Sequence, residues 1–105
     1  LGFPTVIICL RDYQHPMYGV YAVRVQTKHK TDLPGVANIG MRPTIGGKAA
    51  RCEAHIFDFT GDLYEQRVGV DLIKFIRPEK KFAGIEELKT QIAQDSETAR
   101  KIFSI

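Results

Sequence analysis

The chain predicts a mainly β fold, a small antiparallel barrel of short strands closed off by a helical tail. Three observations carry this reading. Extended candidates rich in β-branched and aromatic residues occupy positions 3–10, 18–27, 35–41, 52–59 and 67–77, with turns rich in Pro, Gly and Asp between them; short strands so closely spaced suit a barrel. After Phe82 the apolar period changes, with Ile85, Leu88, Ile92, Ala99 and Ile102 recurring at helical spacing. Finally, 105 residues at 44% hydrophobic and 26% charged composition suit one soluble core.

The first strand holds the longest apolar stretch, residues 6–10, which is far too short to cross a bilayer. In the second, Val20, Ala22 and Arg24 alternate with Tyr21, Val23 and Val25, as in a strand half buried in a barrel. Lys28, His29 and Lys30 form the densest basic spot. They precede the turn-forming Thr31-Asp-Leu-Pro-Gly35 and read as a solvated hairpin tip. The third strand is expected to stop pairing in Ile39-Gly-Met-Arg-Pro-Thr-Ile-Gly-Gly47, because Pro43 cannot donate to a ladder and the glycines relax the backbone. A mobile loop is expected there.

The fourth strand, within Arg51-Cys-Glu-Ala-His-Ile-Phe-Asp-Phe-Thr-Gly-Asp-Leu-Tyr64, sets a carboxylate at the head of a strand-like run. Period two puts Glu53, His55, Phe57 and Phe59 on one face and Ala54, Ile56 and Asp58 on the other. Glu53 is then either a general base in aromatic company or a solvated edge charge. Asp62 in Thr60-Gly-Asp62 suits turn chemistry, and Asp58 should face away from Glu53. Pro78 ends the fifth strand. In the helical tail Glu86, Glu87, Lys89 and Gln91 oppose the apolar stripe. Asp95 interrupts that stripe, and with Ser96 it could cap a second short helix reaching about Phe103; two helices fit this pattern better than one.

A formal charge of +3, spread along the chain, suits an anionic ligand but falls short of the clustered basic face of a nucleic-acid binder. No signal peptide or spanning segment is visible, so neither nucleic acid nor membrane is an expected partner, and the cytoplasm is the expected location. Cys9 and Cys52 have no metal-ligand spacing and read as buried free thiols. His15, His29 and His55 form no ligand set.

Four further segments flank the Glu53 strand: Leu1-Gly-Phe-Pro-Thr5, Gly19-Val-Tyr-Ala-Val23, Val36-Ala-Asn-Ile-Gly-Met-Arg-Pro-Thr44 and Arg77-Pro-Glu-Lys-Lys-Phe82. In this order, over almost the whole chain, they resemble the riboflavin kinase domain, the C-terminal part of bacterial bifunctional riboflavin kinase/FAD synthetases. The resemblance implies a Greek-key-type barrel with one or two C-terminal helices. It implies transfer of the ATP terminal phosphoryl group to the 5′-hydroxyl of riboflavin, giving FMN and ADP, with Mg2+ accompanying ATP.

It further assigns Glu53 as the base, Thr5, Ile56 and Tyr64 to the nucleotide, Thr5 also to the metal, and Arg77, Lys80 and Phe82 to the flavin. Two departures stand out. Where the family reads Pro-Thr-Ala-Asn, this chain reads Pro4-Thr5-Val6-Ile7, so Ile7 brings no oxygen where an Asn is expected. The family's preceding strand and Gly-rich turn are absent before Leu1. The chain, residues 1–105, is therefore expected to be a single domain and a fragment of a longer protein, with an FMN adenylyltransferase domain as an expected neighbour. Loss of the Asn also opens an alternative: a catalytically impaired flavin- or nucleotide-binding module of the same fold.

Overall fold

The computed structural model describes residues 5–10, 17–59 and 68–105, with the backbone alone at 5–10, 42–44 and 48–49. Five strands, β1 (Thr5–Leu10), β2 (Gly19–Gln26), β3 (Leu33–Thr44), β4 (Gly47–Ile56) and β5 (Gly69–Pro78), precede one helix, α1 (Ile85–Phe103). Their order in the antiparallel sheet is β1-β4-β3-β2-β5. Strands β2, β3 and β4 follow one another as hairpins, β5 returns to lie beside β2, and β1 lies beside β4. Each returning strand completes a Greek key with the hairpins.

Alternation along β2, β3 and β4 gives the sheet two apolar faces, and both are covered. On the inner face Tyr21, Val23, Val25, Ala37, Ile39, Cys52, Ala54 and Ile56 form one buried cluster. On the outer face Val20, Ala22, Val36 and Phe57 pack with Ala99 of α1. The helix packs on the outer face, and among the described residues Tyr18, Leu33, Phe59, Val68, Val70 and Phe75 pack against the inner cluster, in keeping with a small barrel.

Several expectations change. The 39–47 segment is a continuation of pairing rather than a loop: Pro43 lies opposite Lys48 and Thr44 opposite Gly47. Beyond Ile39 strand β2 no longer accompanies β3, so the missing proline N–H disturbs a ladder with β4 on one side only. Gly46 turns the chain at φ 89, a left-handed conformation that glycine adopts without steric cost. Gly35 serves a different purpose, since a Cβ there would fall on the His55 carbonyl oxygen of the neighbouring strand.

Asp58 also has positive φ, at 52, and this breaks the alternation after Phe57. As a result Phe59 packs against the inner cluster rather than beside Glu53. The exposed Asp58 carboxylate accepts two hydrogen bonds of 3.2 Å from Arg100. That pairing holds its carboxyl below the usual carboxylate range.

The expected second helix does not form. A single helix runs through Asp95 from an extended N-cap at Gly84 to a left-handed Ser104, whose N–H meets the carbonyls of Arg100 and Lys101. Glu86 and Glu87 in the first turn and Arg100 and Lys101 in the last suit the helix dipole. Asp95 is not a cap. It is buried, 5% exposed, and its carboxylate accepts hydrogen bonds from Arg77 Nε at 2.9 Å, Arg77 Nη2 at 2.7 Å and Gln91 Nε2 at 3.0 Å. Ile85 and Leu88 of the predicted stripe stay exposed, at 65% and 38%. The helix is anchored by its second half, where Arg24 lies 4.6 Å over Phe103 and Arg100 4.5 Å over Phe57. Lys28, His29 and Lys30 are exposed, as expected of a hairpin tip.

Candidate active site between the sheet and the helix

The outer face of the sheet is not fully covered by α1. Towards the N-terminal half of the helix it opens into a cleft of about 290 Å³. Its floor is two rungs of the sheet. In one, Val20, Asn38 and Glu53 lie side by side on β2, β3 and β4; in the next, Val36 and His55 lie side by side on β3 and β4. Leu88 and Ile92 of α1 line it from the other side, and Arg77, Lys80 and Phe82 complete it. Glu53, Arg77, Lys80 and Phe82, far apart in sequence, thus share one cleft. Cross-strand partners on one face stand roughly 5 Å apart at Cβ, so Asn38 is the immediate neighbour of Glu53.

Arg77 reaches this face because the β2–β5 register slips. Val20 pairs with Arg77 and Tyr21 with Phe75, and a second shift follows between Ala22 and Val23. Phe75 packs inside, edge-on to Tyr21 at 5.2 Å between ring centroids. Ile76, the residue left over, packs with the outer cluster. The bulge therefore turns both Ile76 and Arg77 outward, where strict alternation would have sent Arg77 inside.

Once there, Arg77 is engaged by Asp95 and also donates through Nη1 to the Pro78 carbonyl at 3.0 Å. This ties the end of β5 to the middle of α1 and fixes the start of the segment that carries Lys80 and Phe82. The Phe82 ring lies 5.9 Å from the Arg77 guanidinium and 5.6 Å from Lys80 Nζ. It forms a half-buried aromatic surface edged with positive charge, suited to a planar, electron-poor ring system with anionic or carbonyl groups.

His55 sits beside Glu53 on the same face; burial lowers its pKa, and the Glu53 charge opposes that shift. Cys52, on the inner face, is a free buried thiol whose pKa is pushed up to about 11, chiefly by burial and further by Glu53.

Of the other expected site residues, Ile56 is fully buried in the inner cluster, away from the cleft. Thr5 and Ile7 lie in β1 at backbone positions opposite His55 and Glu53. Tyr64, like His15 and Asp62, lies outside the described residues. No cluster of three or more His, Cys, Asp or Glu side chains suited to a metal occurs among the described residues, and no described helix is long and apolar enough to cross a membrane.

Sequence reading gave no role to Asn38 and took Asp95 for a cap. A signal for Asn38 was present, since an amide between Ala37 and Ile39 in mid-strand is disfavoured unless it has something to bind.

A helix-covered Greek-key sheet with a carboxylate, a lysine and an aromatic ring lining one cleft has the form of a small ligand-binding domain. The sequence model described as "Flavokinase: Riboflavin kinase" matches residues 1–103, and the chain belongs to the riboflavin kinase family. It is 48% identical over its full length to a bifunctional riboflavin kinase/FMN adenylyltransferase of Escherichia coli strain K12, of which it covers 34%. Identity to the Haemophilus influenzae protein of the same description is 45%, over 99% of this chain and 34% of the relative. The chain thus spans about a third of the length of these curated relatives. Among solved structures, a crystal structure described as a macrolide-efflux protein from Streptococcus pneumoniae superposes with a TM-score of 0.81 at 35% identity, covering 94% of this chain and 33% of that one.

Proposed function

We propose that this chain transfers the terminal phosphoryl group of ATP to the 5′-hydroxyl of riboflavin, releasing FMN and ADP. The observation that carries the proposal is the convergence of Glu53, Lys80 and Phe82 on one cleft within a chain of the riboflavin kinase family. The isoalloxazine ring stacks at Phe82, with Lys80 reaching its polar edge. The ribityl chain then runs along the sheet floor towards Glu53.

As the hydroxyl oxygen forms its bond to the γ-phosphorus and the bond from that phosphorus to the β-phosphate bridging oxygen breaks, the hydroxyl proton passes to the Glu53 carboxylate. ADP leaves with the bridging electrons. Most of the catalytic effect in such transfers comes from alignment and charge neutralisation. Arg77 acts here as a positioning residue, its guanidinium committed to Asp95. Thr5, Ile56 and Tyr64 are assigned to the nucleotide side on the family resemblance. Ile56, whose side chain is fully buried, backs that side of the site in this reading.

Magnesium accompanies the nucleotide in this reading, but the donor set does not fit a metal held by the first strand. Thr5 carries a hydroxyl, whereas Ile7, at the position opposite Glu53, carries no oxygen. The same observation supports a second reading, a flavin-binding module of this fold with impaired transfer. The relatives' descriptions join riboflavin kinase to FMN adenylyltransferase, and we assign the product FMN to such a neighbouring activity in the whole protein.

Incubating the chain with riboflavin and magnesium-ATP and separating the flavins should show FMN. Glu53→Gln should reduce turnover about 100-fold or more, the lower scale of general-base loss. Flavin binding without any FMN would select the impaired module, and an unaltered rate in Glu53→Gln would remove Glu53 from the reaction.

A further inference from the structure

We infer that Asn38 is the residue that reads the ribityl chain of the flavin, a substrate-positioning role resting on the function proposed above. Two independent observations meet at this side chain. Its amide oxygen Oδ1 is buried and has no hydrogen-bond partner among the described residues. Its position is shared between two concavities. One is the cleft that holds Glu53. The other is an adjoining depression lined by Met41, Lys80, Phe82 and Leu88. Glu53 lines only the first; Lys80, Phe82 and Leu88 line both. Asn38 therefore lies where the aromatic surface gives way to the carboxylate, one strand from Glu53 on the same rung.

A buried carbonyl oxygen without a donor is a standing cost to the unliganded protein, which a ligand bringing a donor relieves. The ligand group must bring a hydrogen to donate and must fit between a stacked ring and an alcohol held at Glu53. A flexible polyol meets both conditions, because every hydroxyl is a donor and the terminal one must reach Glu53. Asn χ2 is broadly distributed, so a modest turn of the amide presents Oδ1 to the cleft its side chain already lines. A magnesium ion is the other partner an amide oxygen could take, and binding measured without magnesium separates the two.

The test compares riboflavin with lumiflavin, the same ring system carrying a methyl group in place of the ribityl chain. Each is titrated by fluorescence quenching against the wild-type chain, Asn38→Leu and Asn38→Ser, without magnesium or nucleotide. Asn38→Leu should bind riboflavin about tenfold more weakly, the factor a single neutral hydrogen bond supplies. It should bind lumiflavin unchanged and melt no lower than wild type, because it removes an unpaired buried oxygen. Asn38→Ser, which keeps an oxygen, should recover part of the riboflavin affinity, and it carries the comparison if the leucine variant fails to fold. Equal weakening for both flavins, or none for either, overturns the role of Asn38 while leaving the flavin site standing. A wild-type chain that quenches neither flavin removes the flavin reading itself, and Asn38's role with it.

Discussion

Replacing Asp95 by alanine tests the joint on which the cleft depends. The Arg77 side chain is 20% exposed and that of Asp95 7%, so solvent screens the pair only slightly. Removing one partner of a buried pair costs about 3–5 kcal/mol, because the other charge is left out of water without compensation. Arg77 can turn partly towards solvent and keeps its bond to the Pro78 carbonyl, which places the expected loss near the lower end, about 3 kcal/mol.

Against a total stability of about 5–15 kcal/mol for a domain of this size, that is a large fraction. At about 4 °C per kcal/mol it lowers the melting temperature by about 12 °C. Urea denaturation with linear extrapolation measures the loss directly. Asp95→Asn, which keeps the shape and one acceptor oxygen but loses the charge and sets its NH2 against a donor of Arg77 or Gln91, should also be clearly destabilised. Arg77→Met combined with Asp95→Leu should return close to wild-type stability, since an apolar pair of similar volume avoids the desolvation cost altogether. A loss under about 1 kcal/mol in Asp95→Ala, or additivity in the double-mutant cycle, would refute the view that this pair pins β5 to α1.

Two more outcomes can be measured. Ile7→Asn should improve use of the magnesium-nucleotide complex by about tenfold, since even a group supporting a metal ligand changes affinity by roughly 10–100-fold; an unchanged rate in a well-folded variant would contradict the lost-ligand account. His55 gives a pH dependence. Its pKa is lowered in the folded state, chiefly by burial, so below about pH 6.5 the unfolded chain binds the extra proton and stability falls as pH falls. Thermal melts between pH 7.5 and 5 should show this decline in wild type and a shallower one in His55→Gln; parallel curves would exclude His55 as its source.

The hydrophobic periods alone placed the strands near their observed positions, the helix after Phe82, and Glu53 on one face with His55 and Phe57. Those features are local: side-chain direction in a strand follows from the pleat, and a change of period from 2 to 3.6 is written in the residues themselves. The segments carried by family resemblance also named Lys80 and Phe82, which share the cleft with Glu53. Other features depend on contacts between distant residues. Pairing with β4 carried β3 through Pro43 to Thr44, and the positive φ at Asp58 sent Phe59 inward. Asp95 breaks an apolar stripe, and in isolation an acid beside a serine suggests a helix start. Only the arrival of Arg77, turned outward by a bulge against β2, makes that carboxylate a buried partner and keeps the helix whole. The orphan oxygen of Asn38 belongs to the same class, because whether a polar atom is paired is decided by everything that packs around it.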